Sequence, residues 1–436
     1  MTQRHRIVVV GGGAGGLELA THLGNQLGRR GKAEITLIDA SWTHTWKPLL
    51  HEVAAGTLDV GEHQLEYLAQ ARNHHFRFRL GAMEAIDRER RLVYVAPNYD
   101  EEGVEFTPRR SFPYDTLVIA VGSISNDFGI KGVSEHCLSL DTTHDAHRFQ
   151  QHLLRRLLHV HARETPIAPG ELNIAVVGGG ATGVELVAQL HLVTRELSAY
   201  GLDRIDPDAH IDFDLIEAGE RLLPALPPRL SAAIAERLRG MGVQVHTGER
   251  VVEVTEDAIH TASGRIIPAV IKVWAAGIKA PDFLTDLQGL ETTSSNQLLV
   301  RRTLETTVDD NIFAMGDCAA CPLDDESGFI PPRAQAAHQQ ATFLAKQLRR
   351  RLKDEPMREF RYRDYGSLVT LGKYSTVGSL MGNITGSVMI SGFIARMVYL
   401  SLHQMHQLAL HGWTRTIITN FANLLRRGIH PQIKLH

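Results

Sequence analysis

Cysteine is scarce in this chain: 436 residues contain three, Cys137, Cys318 and Cys321. Three thiols cannot build a disulfide framework, which agrees with a reducing compartment and leaves each to be judged singly. Long apolar runs are missing as well. No stretch reaches the ~20 strongly apolar residues that a spanning helix needs. The uncharged interval Tyr374 to Ala395 is broken by Gly378, Gly382, Asn383, Gly386 and Gly392, which argues against a span, although Gly378, Gly382 and Gly386 keep the small-xxx-small spacing of packed membrane helices. There is no excess of one charge either. A net charge of -3, with 22% charged and 43% hydrophobic residues, suits a folded soluble protein and predicts no nucleic-acid partner. The basic start is followed only by Ile7 to Val10 before glycines begin, too short for a signal-peptide core, so the N-terminus is expected to stay in the cytoplasm. One absence is local. After Asp364 the remaining 72 residues hold no Asp or Glu, while Lys373, Arg396, Arg415, Arg426, Arg427 and Lys434 lie there.

What is present is a duplication. The length suggests two to four folding units, with two or three the working number. Arg6 to Val10 is a β-branched run ending in glycines, Gly15 to Leu27 has apolar residues at helical spacing, and Ile35 to Asp39 is a second strand-like run. Together they read as a β-α-β unit. The pattern recurs as Asn173 to Val177, glycines, a helical stretch Val184 to Leu197, and Asp212 to Glu217. Such self-similarity is a strong structural signal. Tyr114 to Gly122 and Val270 to Gly277 are buried-type strands ending in small residues, each closing its own half, so Gly122 and Gly277 are candidate cofactor-contacting positions. Asn311 to Asp317 is a further strand and turn before a helix from about Ala334, as if the first unit resumes after the second. The expectation is an α/β chain with two Rossmann-like units, the second inserted in the first. The boundaries are 1–125 and 291–365 for the first unit, 126–290 for the second, and 366–436 for a C-terminal membrane-association region.

Gly11, Gly13 and Gly16, with Ala14 and Gly15 between, fit G-x-G-x-x-G directly between strand and helix. There, glycines let the backbone turn tightly and approach a pyrophosphate on the helix N-terminus. Asp39 at the end of the next strand is placed to hold ribose hydroxyls. One such match is weak, since glycine turns also serve helix-strand packing; this one is repeated in context by Gly178, Gly180 and Gly183, with Glu217 ending the following strand. A carboxylate at Glu217 accepts from the adenosine ribose and repels a 2′-phosphate, so NADH is expected over NADPH. Two dinucleotide sites in one chain make sense when a nicotinamide delivers hydride to a flavin that passes electrons onward.

Four segments carry a resemblance beyond the loops. These are Trp46-Lys47-Pro48-Leu49-Leu50-His51, Gly178 to Glu185, Phe313-Ala314-Met315-Gly316-Asp317, and Pro332 to Gln339 with its Ala-Gln-x-Ala-x-Gln pattern. Over essentially its full length the chain resembles the type II NADH:quinone oxidoreductases, single-subunit respiratory NADH dehydrogenases of the two-dinucleotide-binding-domain flavoproteins. The resemblance implies FAD at the first loop, with Asp317 contacting its ribityl and phosphate region and Lys47 in a loop covering it. It implies Glu185 near the nicotinamide and the flavin edge, where a carboxylate can tune proton movement. It also places Gln335 and Gln339, on one helical face, between flavin and quinone. His338 is a candidate proton donor to reduced quinone because imidazole titrates near neutral pH. The implied activity is non-proton-pumping transfer from NADH through FAD to membrane quinone, ubiquinone or menaquinone.

Cys318 and Cys321 have C-x-x-C spacing, which in a sulfide:quinone oxidoreductase-like enzyme would serve as a redox pair. They follow the Gly316-Asp317 turn, away from where the ring should lie, so packing is the expected role. No metal motif is present. From about Phe393 the pattern turns helical, with Trp413, Ile417, Phe421, Leu424 and Leu425 on one face and Arg415 and Arg426 on the other. An acid-free basic helix of this kind lies on an anionic lipid surface. The expectation is a peripheral, monotopic protein on the cytoplasmic face of the inner membrane, with a homodimer sharing the region. The rivals are the sulfide-oxidising enzyme and a slowly turning redox sensor.

Overall fold

The structure, a computed structural model, describes residues 4–59, 61, 64–323, 328–370, 376–382, 386–391, 408 and 410. The β-branched run begins it as β1 (His5–Val10), followed by helix α1 (Ala14–Leu23), β2 (Ala33–Asp39), the short helix α2 (Leu50–Ala54), β3 (Arg77–Leu80) and β4 (Thr116–Ile119). Every residue from Ile7 to Val10 is buried, because a parallel sheet covered on both faces wants a continuous apolar run rather than alternation. A two-stranded antiparallel crossing, β5 (Ile124–Ser125) against β10 (Ile278–Lys279), links the first half to the second. Between them lie helix α3 (Thr143–Ala162), β6 (Ile174–Val177), α4 (Ala181–Ala199), β7 (Phe213–Glu217), β8 (Gln244–Thr247) and β9 (Ile271–Trp274). After the crossing come β11 (Ile312–Ala314) and helix α5 (Ala334–Arg351).

The duplication extends to the topology of four strands in each half. One parallel sheet runs β11-β4-β1-β2-β3 and the other β8-β7-β6-β9, so β1, β2, β3 and β4 correspond to β6, β7, β8 and β9. Each half also carries a three-stranded antiparallel sheet, at residues 83–113 and 251–268. The expected α/β class is therefore present, and the strand at 312–314 does return to the first sheet, beside β4.

One feature departs from the expected layout. Leu50, Val53, Ala54 and Ala55 lie before the first boundary in sequence, yet they are buried in the core of the second half with Phe149, Leu153 and Val184. Helix α2 is thus a peg from one half driven into the other. The glycine spacing at Gly378, Gly382 and Gly386 belongs to strands: residues 376–382 pair antiparallel with 386–391 and with 367–370, Gly382 opposite Gly386. Positions four apart share a face in a strand as well as in a helix, so the spacing alone does not choose between them. No helix among the described residues is long and apolar enough to cross a membrane. The face made by Trp413, Ile417, Phe421, Leu424 and Leu425 lies outside the described residues. Nearby Leu410 is buried in the first core, its carbonyl accepting from Gln70 Nε2 at 2.9 Å.

If α2 is a structural peg, Leu50→Ala should lower stability by about 2–5 kcal/mol, as deletion of buried leucine atoms commonly does. Chemical denaturation measures it, and a loss under about 1 kcal/mol would mean that α2 merely rests on the surface of the second core.

Candidate functional site: two nucleotide loops and the helices beside them

Each glycine loop is shaped by how close α1 or α4 comes to the strand before it. Gly11 turns with φ +96° and Gly178 with φ +115°. A Cβ added at Gly11 would stand 2.3 Å from the Ala120 carbonyl oxygen, and one at Gly178 2.5 Å from that of Ala275. At Gly16 and Gly183 it would stand 1.8 and 2.0 Å from the carbonyl oxygens of Gly11 and Gly178. Gly13 and Gly180 differ, since a Cβ there meets nothing within 4 Å. These two positions face the open side of the loop, where the unpaired N–H groups of the first helical turn make an anion site. Gly15 makes room for α5 and Met315: a Cβ there would stand 2.5 Å from Met315 Cε and 3.0 Å from the Ala337 carbonyl oxygen.

The strand-end carboxylates are held in the same way in both halves. Asp39 accepts from the N–H of Gly12 at 2.6 Å and from that of Ser41 at 2.8 Å. Glu217 accepts from Gly179 at 2.7 Å and Gly219 at 2.6 Å. Each oxygen has one backbone partner and retains a lone pair for a ribose hydroxyl. Burial pushes Asp39 above the usual carboxylate range, partly offset by those two N–H bonds. The peptide of Gly12 is gripped on its other side too, its oxygen accepting from Tyr67 Oη at 2.8 Å and lying 2.9 Å from His44 Nδ1. Neither ring had a signal in the sequence.

At the carboxyl end of β4, Gly122 turns with φ +72°, as Gly277 does at +68° after β9. Lys47 Nζ donates to the Ser123 carbonyl at 2.6 Å, and Ser123 Oγ donates to Asp317 Oδ2 at 3.0 Å. Burial pushes Asp317 up, with the Ser123 bond and the Lys47 charge opposing it. The Gly316 N–H is held by Gln340 Oε1 at 2.7 Å. Lys47, Gly122 and Asp317 are therefore gathered around one strand end, with Ser123 and Gln340 as members that the sequence reading missed.

Glu185, nearly buried on α4, faces His51 of α2, with Nδ1 3.8 Å from Oε2. Burial lowers His51 to about 4, the bond to the Pro48 backbone opposing the shift, so its imidazole is neutral at physiological pH. His51 stands in a segment already singled out, but nothing in the sequence paired it with Glu185.

Helix α5 spends its three candidate residues on different neighbours. Gln335 Nε2 donates to Asp364 Oδ1 at 3.2 Å and the Gly366 carbonyl at 3.1 Å, and its oxygen accepts from the Tyr365 N–H at 3.1 Å. Gln339 exchanges one donor and one acceptor bond with the Arg363 backbone, at 2.8 and 3.0 Å. His338 turns instead toward α1, its Nδ1 2.7 Å from Glu18 Oε2. The strand at 367–370 continues from this clamp and lies against α4. Cys318 and Cys321 are fully buried free thiols, and burial pushes Cys318 up to about 11. Among the described residues no group of three or more His, Cys, Asp or Glu side chains could hold a metal.

Residues 5–341 match the pyridine nucleotide-disulphide oxidoreductase family. A type II NADH:quinone oxidoreductase of Haemophilus influenzae is 44% identical, the alignment covering 99% of each chain. One of Staphylococcus aureus is 28% identical over 87% of this chain and 90% of that one. Among solved structures, NDH2 from Plasmodium falciparum in complex with NADH superposes with a TM-score of 0.81 at 21% identity, over 99% of this chain and 100% of that one.

The two kinds of glycine predict different failures. If the first loop holds the flavin, Gly16→Ala should distort the loop, lower the melting temperature and yield colourless protein. Gly13→Ala should fold with an unchanged apo melting temperature yet retain less flavin, because its methyl group enters only the open groove. Absorbance of the purified variants and their thermal denaturation check this, and equal behaviour of the two would refute the division.

Proposed function

The chain belongs to the pyridine nucleotide-disulphide oxidoreductase family and, within it, to the type II NADH:quinone oxidoreductases, and we propose that its two glycine loops divide the work between two cofactors. The protein oxidises NADH and passes the electrons through FAD to quinone. FAD supplies the two-electron chemistry that joins a hydride donor to a quinone acceptor. The observation that carries the division is the open groove at Gly13 and Gly180, repeated in both halves above identically held carboxylates.

In this reading Gly11, Gly13, Ala14, Gly15, Gly16 and Asp39 form the FAD end of the first unit, 1–125 with 291–365. Lys47, Gly122 and Asp317 wall the flavin side. Gly178, Gly180, Gly183, Glu217 and Gly277 form the NADH site of the second unit, 126–290. Glu217 favours NADH because a 2′-phosphate would meet a carboxylate already fixed by two N–H bonds. Glu185, backed by the neutral imidazole of His51, steadies protons at the meeting of the two units.

On the acceptor side, the hydrogen-bond inventory separates the two glutamines. Both N–H groups of the Gln335 amide have partners, whereas among the described residues Gln339 uses one of two. Gln339 is therefore the amide that donates to a quinone carbonyl. We assign the acid-free tail to an anionic lipid surface on the cytoplasmic face, its basic residues adding about 1 kcal/mol each near such a surface, with a homodimer sharing that region and no proton pumping. A sulfide-oxidising role is disfavoured by the complete burial of Cys318 and Cys321.

Detergent-solubilised protein should be bleached rapidly by NADH, slowly by NADPH, and reoxidised by a short-chain quinone. Bleaching without quinone turnover would point to a sensor, and absence of bound flavin would overturn the reading. Gln339→Leu should raise KM for quinone while KM for NADH stays put, and loss of one such bond corresponds to roughly 0.5–1.5 kcal/mol, or a few-fold to about tenfold. Glu217→Ala should narrow the preference for NADH over NADPH, read as the ratio of the two kcat/KM values.

A further inference from the structure

Glu18 sits in α1 just past the glycine loop, and its side chain is entirely sealed from solvent. A buried carboxylate is costly unless it is well supplied with donors, and this one has three: His338 Nδ1 at 2.7 Å, Thr342 Oγ1 at 3.1 Å and His22 Nε2 at 3.3 Å. Two of the three come from α5. The same stretch of α5 places Ala337 against Gly15 and Gln340 on the N–H of Gly316. The pyrophosphate loop and the Gly316-Asp317 turn are thus held in register by one pair of helices. At its centre is a charge that no solvent reaches, while His338 is about 30% exposed and can exchange protons.

We propose that Glu18 is a positioning residue for the flavin site, bolting α5 onto α1 through protonated His338, so that loss of that proton loosens the turn carrying Asp317 and the hold on FAD. His338 then serves the reaction through Glu18 and the flavin cradle, not by touching the acceptor.

The charges around the pair fit this. Burial alone would raise Glu18, but hydrogen bonds and charge from His22 and His338 more than reverse it, leaving Glu18 below its ordinary 4.5. His338 is raised above its ordinary 6.5 by the bond to Glu18, against the opposing effect of burial and with the help of Glu18's charge. The signs set a window. The His338 contribution is complete below its ordinary value and is lost as pH rises through the raised one; the Glu18 contribution is complete above its ordinary value and is lost as pH falls through the lowered one. The stabilising contribution of the bolt is therefore complete between 4.5 and 6.5, and it is lost on the alkaline side at a pH set by His338.

The test follows FAD release, by the rise in free-flavin fluorescence, from purified holoprotein between about pH 6 and about pH 9, with the His338 imidazole titrated by NMR. Wild type should release FAD several-fold faster at the alkaline end. Glu18→Gln and His338→Gln should release it fast throughout with a flat pH profile, and in Glu18→Gln the His338 titration should fall back toward its ordinary value. His22→Gln should keep most of the pH dependence. Wild-type retention in Glu18→Gln, or a wild-type His338 that titrates at or below its ordinary value, would overturn the proposal; the second readout needs no variant to fold. The proposal rests on FAD lying at α1: a wild type that binds no flavin would overturn that reading and this one together, whereas a flavin-bearing wild type with an indifferent Glu18→Gln overturns this one alone.

Discussion

The site depends on one steric constraint, the closeness with which a helix may begin against the strand that precedes it. In both halves the helix starts so near that the third glycine of the motif has no room for a methyl group, with 1.8 and 2.0 Å from a built Cβ to the loop's own first carbonyl oxygen. That closeness aims the first-turn N–H groups, with the positive end of the helix dipole behind them, at one small volume. It also brings the residue after the first glycine, Gly12 or Gly179, within reach of the carboxylate on the next strand, so Asp39 and Glu217 are anchored by the same loop that is proposed to bind the phosphates. In the proposed reading, phosphate and ribose recognition are one constraint expressed at two points.

The halves could be independent, yet α2 prevents it. Leaving the first sheet after β2, the chain lays Lys47 across the end of β4 and then drives Leu50, Val53 and Ala54 into the second core. His51 is carried to Glu185 by the same move. Any shift between the two units must drag Lys47, His51 and the buried leucine together, which favours a fixed distance between donor and acceptor cofactors over a hinged one. Hydride transfer needs reacting atoms held near ~3–3.5 Å, and a peg packed into the opposite core is a direct way to hold them.

Much of this was legible in the sequence, and what was not has a common cause. The strands, the two loops and their carboxylates were readable because they are local: β-branched runs, glycines at fixed offsets and an acid at the next strand's end. The destination of α2 was not, since nothing in the segment Leu50 to Ala55 says which core receives it. Glu18 looks like an ordinary helical acid until α5 arrives 320 residues later in the chain to cover it. His338 was noticed for the titration range of its side chain; its partner is a matter of tertiary packing. The glycines at 378 and 382 were uninformative because a spacing of four is both about one helical turn and two strand repeats.

Helix α5 shows how such packing distributes roles within one motif. On an isolated helix, Gln335, His338 and Gln339 would be near-equivalent polar positions. Here Asp364 and Gly366 take both donors of Gln335, Glu18 takes His338, and the Arg363 backbone takes only half of what Gln339 offers. A ligand bonding Gln335 would have to displace a carboxylate or a carbonyl and leave it unpaired, at a cost of about 1–3 kcal/mol, whereas a ligand reaching the second N–H of Gln339 displaces no partner among the described residues. The same motif therefore holds a clamp, a bolt and one amide with capacity to spare, and the difference between them lies in residues 18 and 363–366 rather than in the motif itself.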